Sequence, residues 1–156
     1  MKKIYQFLGK AEVVISATCF SLSLLIIFTS AIARTFKHPL NWSQDMSLFL
    51  FAWGVFLSAD AAIRVNKLIN IDLLVSRLPQ NIRKTLEVVV YTIIFIFLIF
   101  LFYNGIKLTI FSSRRAFQGI PGFSYSWVIV SIPVGSLLQM ITIILKIRNL
   151  YKREEY

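Results

Sequence analysis

Asp60, Arg64 and Lys67 follow one another at intervals of four and three residues. On a helix that spacing puts all three on one face within ion-pairing reach, with Phe49, Trp53 and Phe56 extending the face along the axis. An acid followed by two bases can close a salt bridge, hold an anionic phosphate between the bases or, deep in a membrane, carry a proton. Glu12 is a further acid, at the edge of a long apolar run. Beyond these residues the chemistry thins out. Cys19 and His38 are the single cysteine and the single histidine. One thiol makes neither an internal disulfide nor a CxxC redox pair, and one loop imidazole cannot supply the two axial ligands of a b-type haem. The sequence has no glycine-rich phosphate loop, no HExxH, and no serine or cysteine nucleophile beside a base. No cluster of acids and histidines at membrane depth offers a metal site. The reading is therefore of neither an enzyme nor a protein with a bound metal or cofactor.

The elements that must position these residues follow from composition. Of the 156 residues, 57% are hydrophobic and 15% charged, and the apolar ones fall in long unbroken blocks, the pattern of a membrane protein. A net charge of +10 would suggest nucleic acid if it lay on one soluble face. The bases sit instead in short segments between the blocks, which argues against that partner. The blocks predict an all-α integral membrane protein, a single membrane domain over residues 1–156. It has four transmembrane helices and a short amphipathic interfacial helix after the second.

Val13 to Ala33 is 21 residues without a charge, longer than the roughly 7 to 15 residues of a signal-peptide core. It predicts a first span at about 12–34 that is kept and not cleaved. Ser16, Cys19, Ser23 and Ser30 lie along one side of it, in line with Glu12. They either admit a close neighbour or bond back to their own carbonyls. The second span is expected at about 44–65, with Ser43 as N-cap and Asp45 in the first turn, where an acid meets the positive end of the helix dipole. Asp60 lies fifteen residues beyond Asp45, about 22 Å along the axis. That depth is near the far surface, so pairing with Arg64 one turn away makes it an anchor and not a mid-membrane proton carrier. Residues 68–78 are too short to cross, but Ile71, Leu74, Val75 and Leu78 share a face, which predicts the interfacial helix. Third and fourth spans follow at about 86–111 and 125–147, the last with a kink expected near Pro133 and Gly135.

Lysine and arginine counts set the orientation. The N-terminus carries three, the connection from Arg64 to Lys84 five and the C-terminus four; the two remaining connections hold Arg34 and Lys37, then Lys107, Arg114 and Arg115. The positive-inside rule puts both termini in the cytoplasm.

The run WSQDMSLFLFAWGVFLSADAAIRVNKLINIDLLVSRLP, from Trp42 to Pro79, resembles the small membrane subunit, DctQ type, of tripartite ATP-independent periplasmic (TRAP) transporters. Trp42 and Asp45 match the family's opening and Trp53 and Phe56 its aromatic span. Arg64 matches its arginine, and Ile71-Asp72-Leu73-Leu74 its closing motif. Ile132-Pro133-Val134-Gly135, after Trp127, is similar to a second family feature. Gln44 stands where the family has a first acid, Ser58 and Asn66 where it has glycines, and Leu68 where it has a histidine. Asp60 occupies a position that is commonly Ala or Gly.

The resemblance implies a non-catalytic subunit of the bacterial inner membrane that binds no solute itself. It would scaffold a large sodium-coupled permease subunit of about a dozen spans, for uptake of an organic acid delivered by a periplasmic solute-binding protein. Trp42, Asp45, Trp53, Asp60, Arg64, Lys67 and Asp72 are the expected contacts to the large subunit or to membrane lipids. Arg34, Lys37, Arg114 and Arg115 are the expected docking residues for the binding protein. Two other readings stay open. One is a self-contained, proton-coupled four-helix exporter acting as a homodimer, for which Glu12 and Asp60 are the only candidate carboxylates. The other is an accessory subunit of an unrelated membrane complex.

Overall fold

The computed structural model describes residues 2–64 and 80–152. The described residues form helices α1 (Lys2–Thr35), α2 (Asn41–Arg64), α3 (Gln80–Ser112), α4 (Ser126–Ile129) and α5 (Ser131–Lys152), with no strand among them. Four stretches are long and apolar enough to cross a membrane: Gly9–Thr35, Asn41–Arg64, Thr85–Ser112 and Ser126–Arg148. The all-α, four-span architecture is thus the one the apolar blocks predict. The interfacial helix expected at 68–78 lies outside the described residues.

Local chemistry accounts for where α2 starts and where the fourth span breaks. Ser43 is the third residue of α2 and not its N-cap. Its hydroxyl lies 2.6 Å from the Leu40 carbonyl oxygen and 2.7 Å from Ser30 Oγ on α1, so it is spent on a turn and on a neighbouring helix. Asp45 therefore sits one turn into α2. The fourth span is broken at Val130, between α4 and α5. Pro133 has no N–H to offer the Ile129 carbonyl, so the ladder opens one turn before the proline. Helices α1 and α3 begin well before their apolar segments. At 34 residues, α1 is about 51 Å long against a hydrocarbon core of about 30 Å.

The helices stand in an open row. α1 packs on α2, α2 on α5 and α5 on α3, while α4 touches both α2 and α3. A single layer encloses little. Among the described residues an apolar cluster forms from Ile63, Tyr91, Leu98 and Ile143, with Phe95 and Met140 against it. Leu24, Phe51, Phe100 and Ile144 are exposed on α1, α2, α3 and α5.

Small residues hold each seam close. Ser16 and Ser23 are buried where α1 faces α2. The hydroxyls there divide between the two expected uses: Ser16 bonds back to the Val13 carbonyl, whereas Ser23 donates across the seam to the Ser47 carbonyl at 3.0 Å. A side chain on Gly54 of α2 would lie 3.3 Å from the Phe20 ring and 3.4 Å from Cys19 Cβ. Between α2 and α5, a Cβ on Gly135 would come within 2.7 Å of Phe56 Cγ, and Gln139 donates to the Phe56 carbonyl at 3.2 Å. Between α3 and α5, Gly105 abuts Ile132 and Pro133.

Candidate functional site

Polar chemistry concentrates at the two ends of the row. At the end shared by the N-terminal part of α1 and the C-terminal part of α2, Arg64 bridges two acids. Its Nε donates to Asp60 Oδ2 at 2.8 Å, and Nη2 lies 2.8 Å from the same oxygen and 3.0 Å from Glu12 Oε1. The first pair follows from the four-residue spacing on α2. The second depends on α1 packing against α2. Asp60 has 0% exposure, and the side chains of Glu12 and Arg64 are each 9% exposed. Asp60 Oδ1 and Glu12 Oε2 are buried and accept no hydrogen bond among the described residues. Two carboxyl groups share one guanidinium in a low-dielectric seam where an uncompensated charge is costly. Asp60 thus faces the interior of this chain, against α1. Lys67 and Asp72 lie outside the described residues.

Reasoning along α2 alone finds Asp60 with Arg64 but not Glu12 as the third member. The available signal was the alignment of Glu12 with the serine face of α1, which marks the side turned toward a neighbour. A second polar contact was also missed. Lys146 lies inside the fourth span and half-buried against α3. Its Nζ is 3.4 Å from the Tyr91 hydroxyl and 5.7 Å from the centre of that ring. An ammonium on a long stem reaches sideways to a phenol here instead of upward to water.

At the other end, the loop between α3 and α4 folds over the start of α2. Phe117 N–H donates to the Phe123 carbonyl at 2.9 Å and Tyr125 N–H to the Arg115 carbonyl at 2.8 Å. The Pro121-Gly122 tip turns with φ 88° at Gly122, as a type II turn requires. Asp45 Oδ2 accepts the Gly119 N–H at 2.8 Å. A Cβ on Gly119 would meet the Asn41 and Trp42 backbone at 2.5 Å, so only glycine lets the loop lie this close. Phe49 meets both Trp53 and Phe123 edge-on, and Phe123 stacks on Phe117 and Trp127. Trp53 Nε1 donates to the Trp127 carbonyl at 3.3 Å. Trp42 is exposed beside this cluster. Arg34 in the last turn of α1, Lys37 just after it, and Arg114 and Arg115 between α3 and α4 are all exposed at this end.

Of the expected residues, the structure joins Asp60 to Arg64 through an ion pair and places Trp53 in the aromatic cluster. It ties Asp45 to the loop that carries Arg114 and Arg115. Among the described residues no group of three or more His, Cys, Asp or Glu side chains could hold a metal ion.

A family model described as the DctQ component of the tripartite ATP-independent periplasmic transporters matches residues 23–153. The chain is similar to the sialic acid TRAP transporter permease protein SiaT of Haemophilus influenzae strain 86-028NP, at 26% identity over 136 residues, 86% of this chain and 22% of that protein. It is also similar to a putative TRAP transporter small permease protein of Haemophilus influenzae strain ATCC 51907, at 26% identity over 80 residues, 51% of this chain and 50% of that protein. The chain thus spans from about a fifth to half the length of these relatives. The family match runs from the middle of α1 through the last turn of α5, and takes in Arg64, the Gly119 loop and the proline break; the chain belongs to the DctQ component family of the tripartite ATP-independent periplasmic transporters.

Proposed function

We propose that this subunit is a stationary scaffold in the bacterial inner membrane, with both termini cytoplasmic, for a large sodium-coupled permease subunit that imports an organic acid delivered by a periplasmic binding protein. The open row of helices carries the reading. A protein that moved a solute by itself would enclose a path, whereas a single layer offers its two broad sides to lipid and to a neighbour. Polar ties at both ends, Glu12–Arg64–Asp60 and Asp45–Gly119, keep that layer rigid while the neighbour moves. Trp42 and Trp53, with Lys67 and Asp72 on the segment after α2, meet the large subunit or lipid headgroups. Arg34, Lys37, Arg114 and Arg115 present positive charge to an acidic patch on the binding protein.

Two observations support this role over a self-contained proton-coupled exporter. Glu12 and Asp60 both engage Arg64 within the chain. A stretch similar to this chain also occupies only 22% of SiaT, which leaves room in that protein for a far larger permease portion. The sialic acid in its name fits the organic-acid class. The test is affinity recovery of the tagged chain from detergent-solubilised native membranes, followed by mass spectrometry. A stoichiometric many-span partner is expected; recovery of the chain alone as a homodimer overturns the scaffold reading in favour of the exporter.

A further inference from the structure

Beside the connection from α1 to α2, one flank of their seam opens into a groove of about 590 Å3. Ile27 and Ala31 form its apolar part, and Ser30, Thr35, Gln44 and Ser47 supply hydroxyl and amide groups. Arg34 is the only charged residue lining it, and no acidic side chain lines it among the described residues. Ile27 lies one face-repeat, seven residues, before Arg34 on α1, so the apolar part is about 10 Å deeper in the membrane than the charge.

The Arg34 side chain makes no ion pair or hydrogen bond among the described residues, although it sits in the last turn of α1. Two carbonyls of that turn already accept backbone donors: His38 N–H reaches the Ala33 carbonyl at 3.0 Å and Lys37 N–H the Arg34 carbonyl at 3.1 Å. The guanidinium is therefore not drawn to them as a cap. A bidentate donor faces a membrane-level groove with polar groups at the surface and alkyl groups below, and nothing in this order of groups would satisfy a cation.

We propose that the groove holds one anionic glycerophospholipid, its phosphate on Arg34, its headgroup hydroxyls among Thr35 and Gln44, and the start of an acyl chain against Ala31 and Ile27, so that docking of the binding protein falls to Lys37, Arg114 and Arg115. Phosphatidylglycerol fits; the ammonium of phosphatidylethanolamine would find no acid. The lipid fills the seam at the end opposite Arg64. This inference rests on the chain crossing a membrane and not on the identity of its protein partner.

Native mass spectrometry of the 156-residue chain in detergent, titrated separately with the two lipids, tests it. Phosphatidylglycerol is expected to bind about tenfold more tightly: both lipids bring a phosphate to Arg34, but phosphatidylethanolamine also brings an ammonium that the guanidinium repels. Arg34→Gln abolishes the preference and Arg34→Lys retains part of it. Arg148→Gln, the same charge change at an exposed site near the other end, leaves it intact. Ala31→Trp, which fills the groove without altering charge, weakens both lipids, and a thermal melt of each variant shows that it is folded. Equal binding of the two lipids, or a preference that survives Arg34→Gln or Ala31→Trp, overturns the proposal. So does displacement of bound phosphatidylglycerol by millimolar inorganic phosphate, which would assign the groove to a free anion.

Discussion

Arg64→Ala tests how α1 is held to the rest of the molecule. The guanidinium makes two contacts of 2.8 Å to Asp60 Oδ2 and one of 3.0 Å to Glu12 Oε1. Removing it leaves two carboxylates in one seam, one wholly buried and one nearly so. Breaking a buried pair by deleting one partner costs about 3–5 kcal/mol, because the acids lose their compensation without regaining water. α1 packs principally on α2, so the loss should appear as separation of these two helices before the α2–α5–α3 portion melts. Cys19 reports it directly. It is the only cysteine, and its Cβ lies across the seam from Gly54. A thiol-reactive dye followed on heating should label Arg64→Ala at lower temperature and faster than wild type, while Arg148→Ala, an exposed control, behaves as wild type. Adding Glu12→Gln to Arg64→Ala should recover part of the loss, because the second acid is no longer charged, so the double variant is less destabilised than the sum of the singles. Unchanged Cys19 labelling in Arg64→Ala, or strict additivity in the double variant, refutes the clamp.

Gly135→Ala forces a methyl to within 2.7 Å of Phe56 Cγ and should cost about 1–3 kcal/mol. Tryptophan-fluorescence melting measures it, and a melting temperature equal to that of wild type would refute the close approach. Lys37 adopts φ 60° just after α1, so Lys37→Gly should stabilise by about 1 kcal/mol, read as a raised melting temperature. Arg114→Glu with Arg115→Glu should slow binding-protein-dependent uptake, more at low than at high salt, since the effect is electrostatic steering. Uptake that ignores both the reversal and the salt would remove these residues from any docking surface.

The parts of the site legible in the sequence are those whose partners are near in the chain. Asp60 and Arg64 are four residues apart, and helical geometry alone brings them together. Glu12 is joined to Arg64 across 52 residues, Asp45 to Gly119 across 74 and Lys146 to Tyr91 across 55. No periodicity encodes such distances. Ser43 shows the same limit in small: it reads as a cap because its type suits one, yet Ser30 and the Leu40 carbonyl claim its hydroxyl.

The sequence by itself determined that the chain crosses a membrane four times, since apolar length at 1.5 Å per residue is a one-dimensional quantity. It also determined the family, through the order of Trp42, Asp45, Arg64 and the proline step. Packing between distant segments sets the row α1–α2–α5–α3, turns Asp60 inward to Glu12 and rests a loop glycine on Asp45. In a bilayer the helices are surrounded by tails as apolar as themselves, so hydrophobicity cannot choose their neighbours. That choice falls to where a glycine or serine lets two backbones approach, and to which buried donor finds an acceptor across the seam.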